Sequence, residues 1–139
     1  MRGAAMAVLT CLAGCEHAQS AASATPEPPC LADSLPALRL GWDNRVKECS
    51  AANQQCTRKC AAGDADACQS RGIAIERSPD TELEAQGLFE RACKLGLATG
   101  CTNWAATVWA IEDHPPARCL LRTFEKTCAA DDHFGCAMA

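Results

Sequence analysis

The chain has 139 residues, twelve of them cysteines, and a formal net charge of −4. This cysteine content is far above that of ordinary cytosolic proteins, and the acidic balance excludes a nucleic-acid binder, which needs a basic face. Apolar residues are mainly small and aromatic residues make up only 4%, so we expect a thin core that is supplemented by cross-links.

The N-terminus has the layout of a bacterial lipoprotein signal. A short positive start is followed by an apolar stretch that ends at Leu12 and is too short to span a bilayer as a helix. The tetrapeptide Leu12-Ala13-Gly14-Cys15 resembles the lipobox of bacterial lipoproteins, in which the preceding peptide is removed and the Cys thiol is acylated. We therefore predict a signal peptide over residues 1–14, a lipidated Cys15 and an extracytoplasmic, membrane-anchored location. A plain secretory signal cleaved nearby is the alternative.

The segment after the signal is predicted to be a tether. Residues 16–29 are small, polar and Pro-rich, and they have no periodicity, a composition typical of flexible linkers. We expect the lipidated Cys and its flexible linker to occupy residues 15–41 and a repeat domain to occupy residues 42–139.

The rest of the chain is predicted to be helical, which makes the fold all-α. Thr81 and Glu84 have the spacing of a capping box, and Ala85 and Phe89 share one face with Leu88 and Ala92. Pro115 and Pro116 cannot lie inside a helix, so a break is expected there. The predicted helices run from Trp42 or Asp43 to Ala61, from Ala67 to Glu76, from Thr81 to Lys94, from Cys101 to Ile111 and from Ala117 to Ala129.

Six cysteines form three pairs with the same C-x7-C spacing, and the pairs recur at intervals of 33 and 35 residues. A period of this length predicts a solenoid. The residues between the paired cysteines include Gly or Asp, which end one helix and begin the next. The three pairs are Cys60 and Cys68, Cys93 and Cys101, and Cys128 and Cys136.

The stretch Ala85–Cys101 resembles the Sel-one-like repeat, a relative of the tetratricopeptide repeat, in its cysteine-rich secreted branch. Its matching residues are Ala85, Phe89, Ala92, Cys93, Leu95, Gly96, Ala98, Gly100 and Cys101. The resemblance implies a short right-handed α-solenoid of two-helix repeats, each with one C-x7-C disulfide. The chain stops at Ala139, three residues after Cys136, so we expect the last repeat to be incomplete.

Disulfides are favoured over metal for the three regular pairs. A C-x7-C pair across a helix-turn-helix can reach the Cα separation of about 6 Å that a disulfide needs, whereas structural zinc sites favour C-x2-4-C. No cofactor or metal is expected, because His17, His114 and His133 form no cluster with the cysteines. A cysteine-based metal-binding protein is the weaker alternative, with Cys56 and Cys60 as half a site.

Four further cysteines are candidates for additional disulfides, with three connectivities open. A link from Cys30 to Cys49 or Cys56 is one interpretation, and a free, buried Cys119 is equally tolerable because Cys behaves as a small hydrophobe.

The sequence contains no nucleophile elbow, phosphate-binding loop or H-E-x-x-H motif. We therefore predict a non-catalytic scaffold that binds an envelope protein or peptide, with Trp104 and Val108 near the binding groove. Some cysteine-rich relatives were described as penicillin-binding proteins or β-lactamases. A hydrolase is the alternative on that analogy alone, and the chain lacks the S-x-x-K, S-D-N and K-T-G motifs.

Overall fold

A computed structural model describes residues 29–41, 49, 54–113 and 115–139. This part of the chain is mostly helical and has no strand, which confirms the all-α prediction. The signal peptide, Cys15 and most of the helix predicted from Trp42 or Asp43 lie outside the described residues. The α-helices are α1 (Gln54–Ala61), α2 (Ala65–Ile75), α3 (Glu82–Lys94), α4 (Ala98–Ile111), α5 (Ala117–Cys128) and α6 (His133–Met138).

Each helix packs against the next helix in sequence, from α1 against α2 through to α5 against α6, and α3 has the most extensive contacts, with α2 and α4. The alternate helices α2, α4 and α6 also contact one another in succession. Short connections favour this arrangement, because consecutive helices joined by a few residues lie side by side.

The core between these helices is narrow and built around a few large side chains. Phe89 and Leu120 are fully buried, and Phe124 is nearly so. Gly72 of α2 allows α3 to approach closely, since a Cβ atom at this position would lie only 2.4 Å from Cε1 of Phe89. Small residues at the seam therefore replace part of the bulk that a larger domain would need.

The same turn joins α1 to α2, α3 to α4 and α5 to α6. Gly63, Gly96 and Asp131 each have positive φ angles, of 97°, 86° and 64°. Each donates its backbone N–H to the carbonyl of the preceding cysteine, and the following residue donates to the carbonyl one residue before that cysteine. These bonds form a Schellman motif, which ends each helix and redirects the chain.

Helix starts differ in how their free N–H groups are satisfied. Asp64 and Asp132 cap α2 and α6, accepting hydrogen bonds from Ala67 N and Phe134 N. Leu97 holds the corresponding position at α4 and offers no side-chain oxygen. The N–H of Ala98 instead donates to the carbonyl of residue 39, at 3.0 Å.

The capping box predicted for α3 is wrong. The Thr81 hydroxyl donates to the carbonyls of Ile75 and Ser78, and it caps no N–H group of α3. Glu84 instead pairs with Arg71 of α2, at 2.9 Å. The 3₁₀ turn Pro79–Thr81 places the Thr hydroxyl toward the preceding helix, which explains the difference.

Residues 29–41, which we call the strap, pack against the helices. Their 3₁₀ turn Leu31–Ser34 lies on α5, where Arg122 pairs with Asp33. Farther along, Arg39 pairs through its backbone with the α3–α4 turn and through its guanidinium with Asp66 of α2, at 2.7 Å. The prediction of a flexible linker extending to residue 41 is therefore wrong, because backbone hydrogen bonds and ion pairs hold this part of it.

Candidate functional site

The three C-x7-C pairs are disulfides in the structure. Their Cα atoms lie 4.6 Å apart in Cys60–Cys68, 4.3 Å apart in Cys93–Cys101 and 4.4 Å apart in Cys128–Cys136. Each disulfide joins the end of one helix to the first turns of the next across the Schellman turn. The cross-links therefore fix the helix pairs whose faces form the cavities described below.

The remaining described cysteines form two more disulfides, Cys49–Cys56 and Cys30–Cys119. The interpretations that linked Cys30 to Cys49 or Cys56 and left Cys119 free are wrong. The strap brings Cys30 to the start of α5, and the Cα atoms of Cys30 and Cys119 lie 5.3 Å apart. This cross-link spans 89 residues, so it ties the strap to the last helix pair.

Disulfide formation argues against the alternative in which the cysteines bind a metal ion. The thiolate is the form of Cys that binds metals, and none of these ten sulfurs is available in that form. Within the described ranges, no group of three or more His, Cys, Asp or Glu side chains is placed to hold a metal ion. Cys56 and Cys60, the suggested half-site, each belong to a disulfide.

Trp104 and Val108, the two residues expected near a binding groove, lie beside α5 and the strap. Val108 is only 2% exposed and packs with Ala105, Leu120 and Phe124. Trp104 is half-buried against the same cluster and lines a cavity beneath the strap. Neither residue lines the groove between α2 and α4, and their part in binding stays a prediction.

A groove with mixed lining lies between the end of α2, the start of α3, and α4. We call it the α2–α4 groove. Four of its residues follow an i, i+3, i+4, i+7 pattern on one face of α4, and Phe134 of α6 closes one side. Its volume is about 450 Å³, and its lining residues are Glu76, Arg77, Glu82, Asn103, Ala106, Thr107, Ala110 and Phe134.

Two carboxylates give the α2–α4 groove its charge. Burial raises the pKa of Glu76 above its ordinary value, and the neighbouring Arg77 lowers it in part. Neither Glu76 nor Glu82 forms an ion pair with any residue in the described part of the chain. A ligand cation placed beside these carboxylates would stabilise their ionised forms.

A second, smaller cavity lies between α4, α5 and α6. We call it the α4–α6 pocket. Its volume is about 300 Å³, and five of its six lining residues are apolar. Trp109, Leu121 and Met138 remain 53%, 43% and 39% exposed, which is unusual for large apolar side chains that surround one cavity. The lining residues are Trp109, Ala117, Arg118, Leu121, Phe124 and Met138.

The lining of the α2–α4 groove combines a few polar groups with apolar walls. Among the described residues that line the α2–α4 groove, Thr107 alone carries a hydroxyl, which donates to the backbone carbonyl of Asn103 at 2.8 Å. The Asn103 side chain, two carboxylates and one guanidinium offer polar contacts beside apolar alanines. Apolar walls with a few polar groups are typical of a binding site.

Sequence reasoning missed both cavities, although a signal was present. The α4 stripe of Asn103, Ala106, Thr107 and Ala110 has helical spacing but small or polar side chains, which differs from a core stripe. Trp109 lies one helical turn after the core residue Ala105 on the same helix, yet it is 53% exposed.

Comparison of the chain with protein-family models, curated proteins and solved structures finds no match to any of them. Within the helices that the structure describes, none is both long enough and apolar enough to cross a membrane.

Proposed function

We propose that this protein is a lipid-anchored scaffold of the bacterial envelope, in which a Sel-one-like, right-handed α-solenoid binds a protein or peptide without catalysing a reaction. The observation that carries the proposal is the α2–α4 groove. Open faces of this kind accept extended or helical segments of a partner.

The repeat architecture has independent support in local geometry. Identical Schellman turns at Gly63, Gly96 and Asp131 recur with the cysteine pairs, and alternate helices contact one another. Stacked two-helix repeats create extended concave binding surfaces. We assign that surface to α2, α4 and α6, because these helices contact one another in succession and α4, α6 and the end of α2 all contribute residues to the groove.

The envelope location is supported by the disulfides, since these persist in oxidising compartments. Membrane attachment is assigned to Cys15. Cells supplied with radiolabelled palmitate should label the wild-type protein and not the Cys15→Ser variant, and equal labelling of the two would contradict lipidation.

Site-specific photo-crosslinking tests the binding function. A benzophenone amino acid at Ala106, inside the α2–α4 groove, should form adducts with a partner in intact cells. The same group at Leu83, which is 75% exposed and outside both cavities, is the control.

A groove-filling variant, Ala110→Trp, should abolish the adducts formed from position 106 while leaving the fold intact. Equal adducts from positions 106 and 83, or adducts unaffected by Ala110→Trp, would contradict binding in this groove.

A further inference from the structure

The α2–α4 groove and the α4–α6 pocket occupy the same position relative to successive cysteine pairs. Glu76 and Trp109 each follow the second cysteine of a pair by eight residues. Glu82 and Ala117 each precede the first cysteine of the next pair by eleven residues. The two cavities are therefore one site that occurs twice, with different lining residues.

The residues at equivalent positions differ between the two cavities, so that the lining is largely charged or polar in the α2–α4 groove and largely apolar in the α4–α6 pocket. Glu76 and Glu82 in the groove are replaced by Trp109 and Ala117 in the pocket, and Asn103 is replaced by Met138. One cavity thus presents carboxylates without ion-pair partners in the described part of the chain, and the next presents an indole and a thioether.

The cavities are neighbours on one face. Phe134 lines the groove and Met138 lines the pocket, and the two residues are four apart on α6, one helical turn. Packed helices lie about 8–10 Å apart, a distance that about three residues of an extended peptide cover. A short segment of a partner therefore reaches both cavities.

Arg118 fixes the direction in which such a segment binds. Among the residues that the structure describes, it is the only charged one in the lining of the α4–α6 pocket, and it forms no ion pair with any of them. Its guanidinium repels a cation there, whereas in the neighbouring groove the two carboxylates of Glu76 and Glu82 outweigh the one guanidinium of Arg77 and attract a cation.

From these observations we infer that the ligand of this face is a peptide segment that carries a basic side chain and, about three residues away, a large apolar side chain. This inference rests on the proposed function and names its ligand class. The basic side chain binds at Glu76 and Glu82, and the apolar one enters the pocket beside Trp109 and Met138.

Fluorescence anisotropy with designed peptides tests the inference. The probes are labelled Gly/Ser peptides that carry one Arg and one Trp, separated by zero to six residues, with Arg→Gln and Trp→Ser versions as controls. The protein is the full-length chain in nanodiscs of zwitterionic lipid. We expect the tightest binding at a separation of two to four residues.

Matched variants locate the two contacts. Glu76→Gln combined with Glu82→Gln should weaken binding about three- to tenfold and remove the preference for Arg over Gln, whereas Glu125→Gln, an exposed carboxylate outside both cavities, should have no effect. Trp109→Ala should weaken binding about tenfold, whereas Leu83→Ala should not.

The outcomes separate this inference from the proposed function. Equal binding of the Arg and Gln peptides, or a preference that survives the loss of both glutamates, overturns the inference alone if crosslinking from position 106 is specific. Absence of peptide binding together with nonspecific crosslinking overturns both.

Discussion

Replacing Gly72 by Ala tests the close approach of α2 and α3. A Cβ atom there would lie 2.4, 2.8 and 2.9 Å from three ring atoms of Phe89, which is fully buried and has little room to move. Overpacking of this kind costs about 2–3 kcal/mol, which outweighs the gain of about 1 kcal/mol from placing Ala in a helix. We expect a net loss of about 1–2 kcal/mol in the free energy of unfolding.

Gly87→Ala is the matched control, because no atom lies within 4 Å of its added Cβ. This variant should be more stable by about 1 kcal/mol. Urea unfolding of the oxidised proteins measures both changes. A double-mutant cycle between Gly72→Ala and Phe89→Leu should show strong coupling. Equal stabilisation by the two Gly→Ala changes would refute the packing described for α2 and α3.

Three further sets of substitutions should change the free energy of unfolding, each for a different physical reason. Thr102→Val should cost about 1–3 kcal/mol in urea unfolding, because the buried Asp132 carboxylate loses the hydroxyl that donates to it at 2.6 Å; an unchanged midpoint would contradict that bond. Burial raises the pKa of Glu76 above its ordinary value of 4.5. The native state therefore takes up this proton more readily than the unfolded state, and ionisation lowers stability as the pH rises through the raised pKa. Glu76→Gln should raise the free energy of unfolding at neutral pH and leave it unchanged below the ordinary pKa. Unfolding curves measured over a pH series test this, and a gain in stability at acidic pH but not at neutral pH would contradict it. Replacing Cys30 and Cys119 by Ser should cost about 4–5 kcal/mol on the chain-entropy estimate, against about 2.5 kcal/mol for a pair eight residues apart, and equal losses would contradict the long-range link.

Local patterns predicted α2 to α5 but not the first residue of every helix. The start of α5 at Ala117 and the end of α3 at Lys94 agree with the predicted bounds, since prolines and Schellman turns mark them. Helix α4 begins at Ala98, three residues before the predicted Cys101. Its N-cap position is Leu97, which has no capping oxygen, so the usual sequence signal for a helix start is absent.

The strap was missed because some of its contacts use the backbone, and its ion pairs and disulfide join residues far apart in sequence. The carbonyl and N–H of Arg39 bind Ala98 and Gly96, and such bonds leave no periodic pattern in the sequence. The two cavities were missed because Trp109 and Phe134, which line them, are apolar residues that sequence patterns assign to a core.

Methyl NMR of the full-length protein in nanodiscs, titrated with the tightest-binding peptide, tests most directly whether this face is the binding site. The methyl signals of Ala106, Ala110 and Met138 should shift, since these residues line the two cavities. Those of the exposed Ala61 and Ala129, at the far ends of α1 and α5, should not. Shifts confined to Ala61 and Ala129, or no shift at Ala106 and Ala110 under saturating peptide, would contradict the account.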